Sequence, residues 1–162
     1  MRTVRTMPRS YRAAAAALLL AAVAASAGEK DGYTEARAAM VAEIGQYARA
    51  AGDIGQQAFA PQVLKSLGDV PRHEFVPDDQ KRVAYANRPL PIGHGQTISQ
   101  PYIVALMTDL SQPERSDNVL EIGTGSGYQA AILSALVEHV YSIEIVEPLA
   151  KEGIARLERL GF

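Results

Sequence analysis

From Thr34 onward the chain alternates between segments of helical spacing and short punctuated stretches. Met40, Ile44, Tyr47 and Ala51 recur at steps of four, three and four, which predicts one face of an amphipathic helix over 34–51. Thr34 stands at the cap and Gly52 at the end. Pro61 to Leu67 reads as a second short helix, with Pro61 in its first turn and Gly68 past its end. Val70 to Pro77 reads as extended or turn, because each proline disfavours helix in the residue before it. Pro89, Pro91, Gly93 and Gly95 predict an irregular, rigid segment. Pro101 to Leu110 reads as an amphipathic helix with Ile103, Leu106, Met107 and Leu110 on one side, closed by Pro113. From Asn118 the pattern becomes strand 119–122, helix 128–136, strand 140–145 and helix 148–160. Such alternation implies a parallel sheet with right-handed crossovers. The expected class is α/β, a Rossmann-like parallel sheet opening at residue 118 behind an N-terminal helical region, 28–117. Two strands do not complete a sheet covered on both faces. A further strand is expected just past Gly161, so the chain is expected to be truncated after its second strand and helix, the N-terminal part of a longer protein.

The first 27 residues follow a different logic. Arg2, Arg5, Arg9 and Arg12 precede an unbroken small and apolar run, Ala13 to Ala25, and Ala25-Ser26-Ala27 fits a small-x-small cleavage site. This three-part pattern predicts a secretory signal peptide cut after Ala27. A membrane span needs about 20 apolar residues, and this run has 13 (25 − 13 + 1). Removing residues 1–27 changes the formal charge from −2 to −6, because 12 Lys and Arg (16 − 4) then face 18 acids. A mildly acidic, periplasmic or secreted protein is expected, with no stable membrane association after cleavage; a cytoplasmic location is the alternative. A monomer is expected. The absence of Cys excludes disulfides and thiolate metal sites, and His73, His94 and His139 lack metal-ligand spacing, so no metal is expected. No basic block follows residue 12, which argues against nucleic acid.

The chemistry concentrates at Val119-Leu120-Glu121-Ile122-Gly123-Thr124-Gly125-Ser126-Gly127-Tyr128. A buried strand runs into glycines at every second position and then a helix, the place where an α/β sheet holds a nucleotide-like cofactor. The dinucleotide fingerprint Gly-x-Gly-x-x-Gly would require glycine where Tyr128 stands. The Gly-x-Gly-x-Gly spacing behind Glu121 instead resembles the first motif of S-adenosylmethionine-dependent methyltransferases. Glu144 ends the next strand, 19 positions after Gly125 (144 − 125). That is close to the offset of a ribose-binding acid. A carboxylate there accepts from both hydroxyls of a ribose diol.

Pro91-Ile92-Gly93-His94-Gly95-Gln96-Thr97-Ile98-Ser99-Gln100-Pro101 and Val70-Pro71-Arg72-His73-Glu74-Phe75-Val76-Pro77 resemble signatures of the protein-L-isoaspartate O-methyltransferases. With Ala84-Tyr85, the glycine motif and Glu144, the resemblance runs from about Ala36 to Phe162. It implies a seven-stranded parent sheet and methyl transfer from S-adenosylmethionine to the free α-carboxylate of L-isoaspartyl residues in damaged proteins and peptides. It implies Ser99 as the active-site serine. Thr97, Ile98, Ser99, Glu121, Gly123, Thr124, Gly125, Gly127 and Glu144 are implied on the cofactor side. Ser99 also fits a plain helix N-cap before Gln100-Pro101, and the two roles are compatible. His94 is not assigned as a base, because an ionised carboxylate needs none. Departures from the family pattern are the missing downstream Gly-Asp-Gly, Asn87 where an acid is common, and the exported N-terminus. Two other readings compete: a non-catalytic chain retaining part of the cofactor site, and a nicotinamide-dependent oxidoreductase, against which Tyr128 and Gln96–Ser99 count.

Overall fold

The computed structural model describes residues 32–50 and 58–162. The expected signal peptide, most of the linker after it, and the expected helix end at Ala51-Gly52 lie outside the described residues. Glu35–Phe162 form one compact unit.

Helix α1, Thr34–Ala50, buries Met40, Ile44 and Ala48. Tyr47, expected on that face, is 52% exposed and lies at its rim, its ring 6.0 Å from that of Tyr102. An aromatic ring with a polar end tolerates such an edge position. Helix α2, Pro61–Asp69, continues through Gly68, which does not end it as expected. It stops because Val70 turns extended (φ −74°, ψ 122°) ahead of Pro71. Of the extended and turn forms expected for the proline-rich stretch that follows, the structure shows turns. The chain forms two 3-10 turns, Arg72–Phe75 and Asp78–Val83, each entered from a proline whose ring presets φ.

The segment expected to be irregular is an antiparallel hairpin of β1, Leu90–Gly93, and β2, Gln96–Ile98. Leu90 pairs with Ile98 and Pro91 with Thr97, and the register shifts between Pro91 and Gly93. A two-stranded ribbon is all edge, so Pro91 takes part without an N–H to donate. Gly93, His94 and Gly95 at the tip all have positive φ.

Helix α3, Pro101–Leu110, has the expected bounds but the opposite face inward. Val104, Ala105, Thr108 and Asp109 are buried, whereas Ile103, Met107 and Leu110 are exposed. The polar pair is neutralised inside the interface. Thr108 Oγ1 donates to Val104 O at 2.8 Å, and Asp109 Oδ1 accepts from Ala60 N at 2.7 Å. A paired polar group loses most of its burial penalty.

Strands β3, Asn118–Ile122, and β4, His139–Ile143, pair in parallel, with helix α4, Tyr128–Ser134, between them and α5, Glu147–Leu160, after them. Helix α4 ends two residues before the expected Leu136, and Leu136 and Val137 continue in turns onto Leu133 O. Cross-strand pairs Leu120–Tyr141 and Ile122–Ile143 share an exposed face, with Leu120 58% and Ile122 73% accessible. The pair Glu121–Ser142 points the other way. The core joins α2 to α4 through Ser66 Oγ, which donates to Ile132 O at 2.9 Å. It places the Phe75 ring edge-on to Tyr128 at 5.4 Å.

Candidate functional site

The glycine turn begins where β3 stops. Gly123 N and Thr124 N both donate to Ile143 O, at 2.7 and 3.3 Å, and Gly127 N donates to Thr124 O at 2.8 Å. Gly123, Gly125 and Gly127 have φ of 92°, 53° and 89°, backbone that L side chains rarely adopt. Helix α5 braces the turn from outside. A Cβ on Gly127 would lie 3.0 Å from Leu157 Cγ, one on Gly153 would lie 3.2 Å from Gly125 O, and Arg156 Nη1 donates to Ser126 O at 2.9 Å. Gly153, Arg156 and Leu157 recur at i, i+3 and i+4, one helix face. The expected site residues do not include them, although a glycine on that face is a visible signal of close approach.

Two carboxylates flank the turn in different states. Glu121 is buried and accepts from Ser142 Oγ, whose oxygen lies 2.6 Å from Thr124 Oγ1. Ser142 has one proton to give; spending it on Glu121 makes Thr124 the donor to Ser142. Burial pushes the Glu121 carboxyl above the ordinary carboxylate range, the Ser142 hydrogen bond opposes this, and the nearby Glu144 charge adds to it. Glu144 is solvent-facing. Its two oxygens accept from Val146 N and Gly125 N, each at 2.8 Å, and these backbone donors hold its pKa below the usual value. A carboxylate has about four lone-pair sites, so two acceptor positions remain for a diol.

On the facing side, β2 leads through Thr97 and buried Ile98 to half-buried Ser99. The cap position of α3 is Gln100, with no side-chain cap bond, so the capping role weighed for Ser99 is not seen. Among the described residues the Ser99 hydroxyl makes no hydrogen bond. Thr97, Ile98, Ser99, Glu121, Gly123, Thr124 and Gly125 line one hollow of about 60 Å³ with Ser126, Tyr128 and Gln129. An adjoining cleft of about 440 Å³ shares Ser99, Glu121, Gly123 and Gln129 and runs along β3 to Met107, Thr108 and Ser111. A cleft of that size suits a cofactor-sized ligand; the hollow alone does not. Gly127 and Glu144 line neither. Gly127 packs against Leu157, and Glu144 reaches the turn through Gly125 N. Gln129 was not expected here. Its Nε2 donates to Thr108 Oγ1 at 2.8 Å, while its buried Oε1 has no partner among the described residues. His94 sits at the hairpin tip, Nε2 3.5 Å from Glu152 Oε1, outside both cavities.

Beneath the site lies Arg72, fully buried. Nε donates to Ala84 O and Nη2 to Ser99 O, both at 2.8 Å, and the guanidinium carbon stands 4.8 Å from the Tyr128 ring centroid. Among the described residues, Nη1 and the Tyr128 hydroxyl have no hydrogen-bond partner of good geometry. Burial lowers the Arg72 pKa and pushes the Tyr128 hydroxyl up to about 12. Desolvating the guanidinium costs several kcal/mol. Two charge-assisted hydrogen bonds of about 1.5–3 kcal/mol each and a desolvated cation–π contact of about 2 kcal/mol roughly offset it. Nearby, Asn87 Oδ1 accepts from Tyr102 N at 3.1 Å, on the first turn of α3.

Comparison with known proteins decides the family. Residues 52–162 match the family model described as "Protein-L-isoaspartate(D-aspartate) O-methyltransferase (PCMT)". The chain belongs to the protein-L-isoaspartate O-methyltransferase family. It is 57% identical over 148 residues to protein-L-isoaspartate O-methyltransferase 1 of Cupriavidus necator, covering 91% of this chain and 57% of that protein. It is 56% identical over 146 residues to protein-L-isoaspartate O-methyltransferase 2 of Syntrophobacter fumaroxidans, covering 90% and 59%. The chain thus spans somewhat over half the length of these curated relatives. A solved protein-L-isoaspartate O-methyltransferase superposes with a TM-score of 0.66 at 26% identity, over 78% of this chain and 39% of that one. A Plasmodium falciparum structure, described as a protein-L-isoaspartate O-methyltransferase in complex with S-adenosyl-L-homocysteine, shares the fold. Its TM-score is 0.54 at 21% identity, over 72% of this chain and 54% of that one. The α/β class expected from sequence is the class of these structures, and family membership sets the nicotinamide reading aside.

Proposed function

We propose that the protein transfers a methyl group from S-adenosylmethionine to the α-carboxylate of L-isoaspartyl residues in damaged proteins and peptides. One observation carries this reading: the Thr97–Ser99 segment and the Gly123–Gly125 turn line a single hollow continuous in its lining with a cofactor-sized cleft. The residues present suit the methyl donor. The turn offers close backbone approach, Glu144 keeps acceptor sites for a ribose diol, and Glu121 and Gln129 Oε1 supply acceptors in the cleft. When bound, S-adenosylmethionine supplies a methyl group on a sulfonium and leaves as the neutral thioether. The substrate carboxylate is ionised at neutral pH, so the chain has no proton to remove. Its task is alignment, which supplies most of the acceleration when the reacting atoms are held in line. The half-buried Ser99 hydroxyl is free to donate to one carboxylate oxygen and leave the other facing the methyl group.

The test is transfer of labelled methyl from S-adenosylmethionine to an isoaspartyl peptide beside its aspartyl twin. Base-labile label in the isoaspartyl peptide alone is expected. Equal labelling of both, or of neither, refutes the reading. Binding of S-adenosylhomocysteine without transfer would instead support the non-catalytic alternative. Residues 1–27 support export to the periplasm or medium, through their four arginines, alanine-rich run and Ala25-Ser26-Ala27. Protein recovered from a periplasmic fraction is expected to begin at Gly28; an intact Met1 in the cytosol refutes export.

A further inference from the structure

We propose that Arg72 is a positioning residue that sets the distance between the Ser99 segment and the glycine turn. The inference rests on the methyl-transfer reading above. Arg72 is a buried cation whose well-formed hydrogen bonds, among the described residues, go to main-chain carbonyls. Its planar fork spans two of them, Ala84 O behind the site and Ser99 O at its edge. Its face lies over Tyr128, the first residue of α4, directly after the turn. One rigid group therefore touches the serine segment and the helix that carries the glycine turn. Lysine has no equivalent geometry, because its ammonium is a point donor on a flexible stem.

The stability of the fold does not explain the residue. Replacing Arg72 with an apolar side chain of similar volume recovers a desolvation penalty of several kcal/mol, which offsets the roughly 1–3 kcal/mol for each carbonyl left unpaired. Arg72→Met is thus expected to fold. What it removes is the Nη2 donor that holds Ser99 O, together with the Nε donor that holds Ala84 O, and a loss of about 1 Å in alignment costs on the order of a hundredfold in rate.

The experiment compares wild type, R72M and R72K by thermal unfolding, amide hydrogen exchange, and kcat and KM in the methyl-transfer assay. R72M is expected to keep its unfolding midpoint within a few degrees. Its amides over 96–99 should exchange at least about tenfold faster, while those of α2 stay unchanged. Its kcat should fall about a hundredfold, with KM for the methyl donor within about threefold. R72K, with charge and one donor retained, should fall between. Unchanged kcat and unchanged exchange at 96–99 overturn the proposal. So does a uniform loss of protection, with kcat, KM and midpoint failing together, because that marks a merely structural residue. If R72M does not fold, R72K carries the same comparison. If wild type transfers no methyl group, the functional reading fails, and exchange at 96–99 alone decides whether Arg72 holds the segment.

Discussion

Gly153→Ala tests whether helix α5 shapes the cofactor turn or merely lies beside it. In a helix interior the change gains about 0.8–1 kcal/mol of intrinsic propensity. At Gly153 that gain meets an obstacle. The new Cβ would sit 3.2 Å from Gly125 O and 3.4 Å from Thr124 Cγ2, a few tenths of an ångström inside ordinary contact. The oxygen has little room to retreat. Gly125 N is tied to Glu144, and even a Cβ built on Gly125 would lie 3.4 Å from Ile92 Cδ1. Overpacking of this kind costs about 1–3 kcal/mol. The net expectation is a loss of about 0–2 kcal/mol in stability. Displacement of the turn should also weaken S-adenosylhomocysteine binding by about tenfold, or about 1.4 kcal/mol. Gly45→Ala in α1 is the control. There the Cβ meets only the end of the flexible Arg49 side chain at 3.7 Å, so a gain of about 0.5–1 kcal/mol is expected. Urea unfolding and titration calorimetry on both variants decide the matter. If Gly153→Ala stabilises as much as Gly45→Ala and binds the ligand equally well, the bracing role is wrong.

Three further outcomes follow from the same site. Gly127→Ala combines a positive φ of 89° with a Cβ 3.0 Å from Leu157, and should cost roughly 2–4 kcal/mol in chemical denaturation; wild-type stability refutes the strain. Glu144→Ala should weaken S-adenosylhomocysteine binding by about 1–3 kcal/mol, through lost charge-assisted bonds to the ribose and a loosened Gly125; unchanged affinity by calorimetry removes Glu144 from the site. Glu121 has its carboxyl pKa raised in the fold, chiefly by burial, so its contribution to stability is present below the unfolded carboxylate pKa and lost as pH rises through the folded value. Glu121→Gln should therefore unfold at a higher temperature than wild type at pH 7, with the advantage vanishing below about pH 4; an advantage that grows on acidification refutes the sign.

The glycine turn, both parallel strands and α5 are legible because each is written locally. The turn follows its strand without interruption, and its three alternate glycines, all with positive φ, mark it in the sequence. The hairpin of β1 and β2 is not legible. Its prolines and glycines are the residues that punctuate loops, and only pairing across the tip, Leu90 with Ile98, Pro91 with Thr97 and Gly93 with Gln96, makes them a ribbon. The inverted face of α3 fails for another reason. Apolar periodicity counts Thr108 and Asp109 as outward, yet both are paired inside the interface.

The supports of the site are the least legible part, and their chemistry says why. Arg72 holds Ser99 from 27 residues away, Arg156 holds Ser126 from 30, and Asn87 holds the amide of Tyr102 from 15. In each case the partner is a main-chain group, and a backbone carbonyl or amide is the same at every non-proline residue. Such a contact puts a signature on one member of the pair and none on the other. A carboxylate facing Arg72 would have been a visible partner; a carbonyl is not. The Thr97–Ser99 motif and the glycine motif are thus each readable alone, while the arginine that spans them stands in the Val70–Pro77 signature with nothing in the sequence to show what it holds. The spacing of Ser99 and the turn, on which the proposed transfer would depend, is therefore the quantity this sequence conceals and the fold displays.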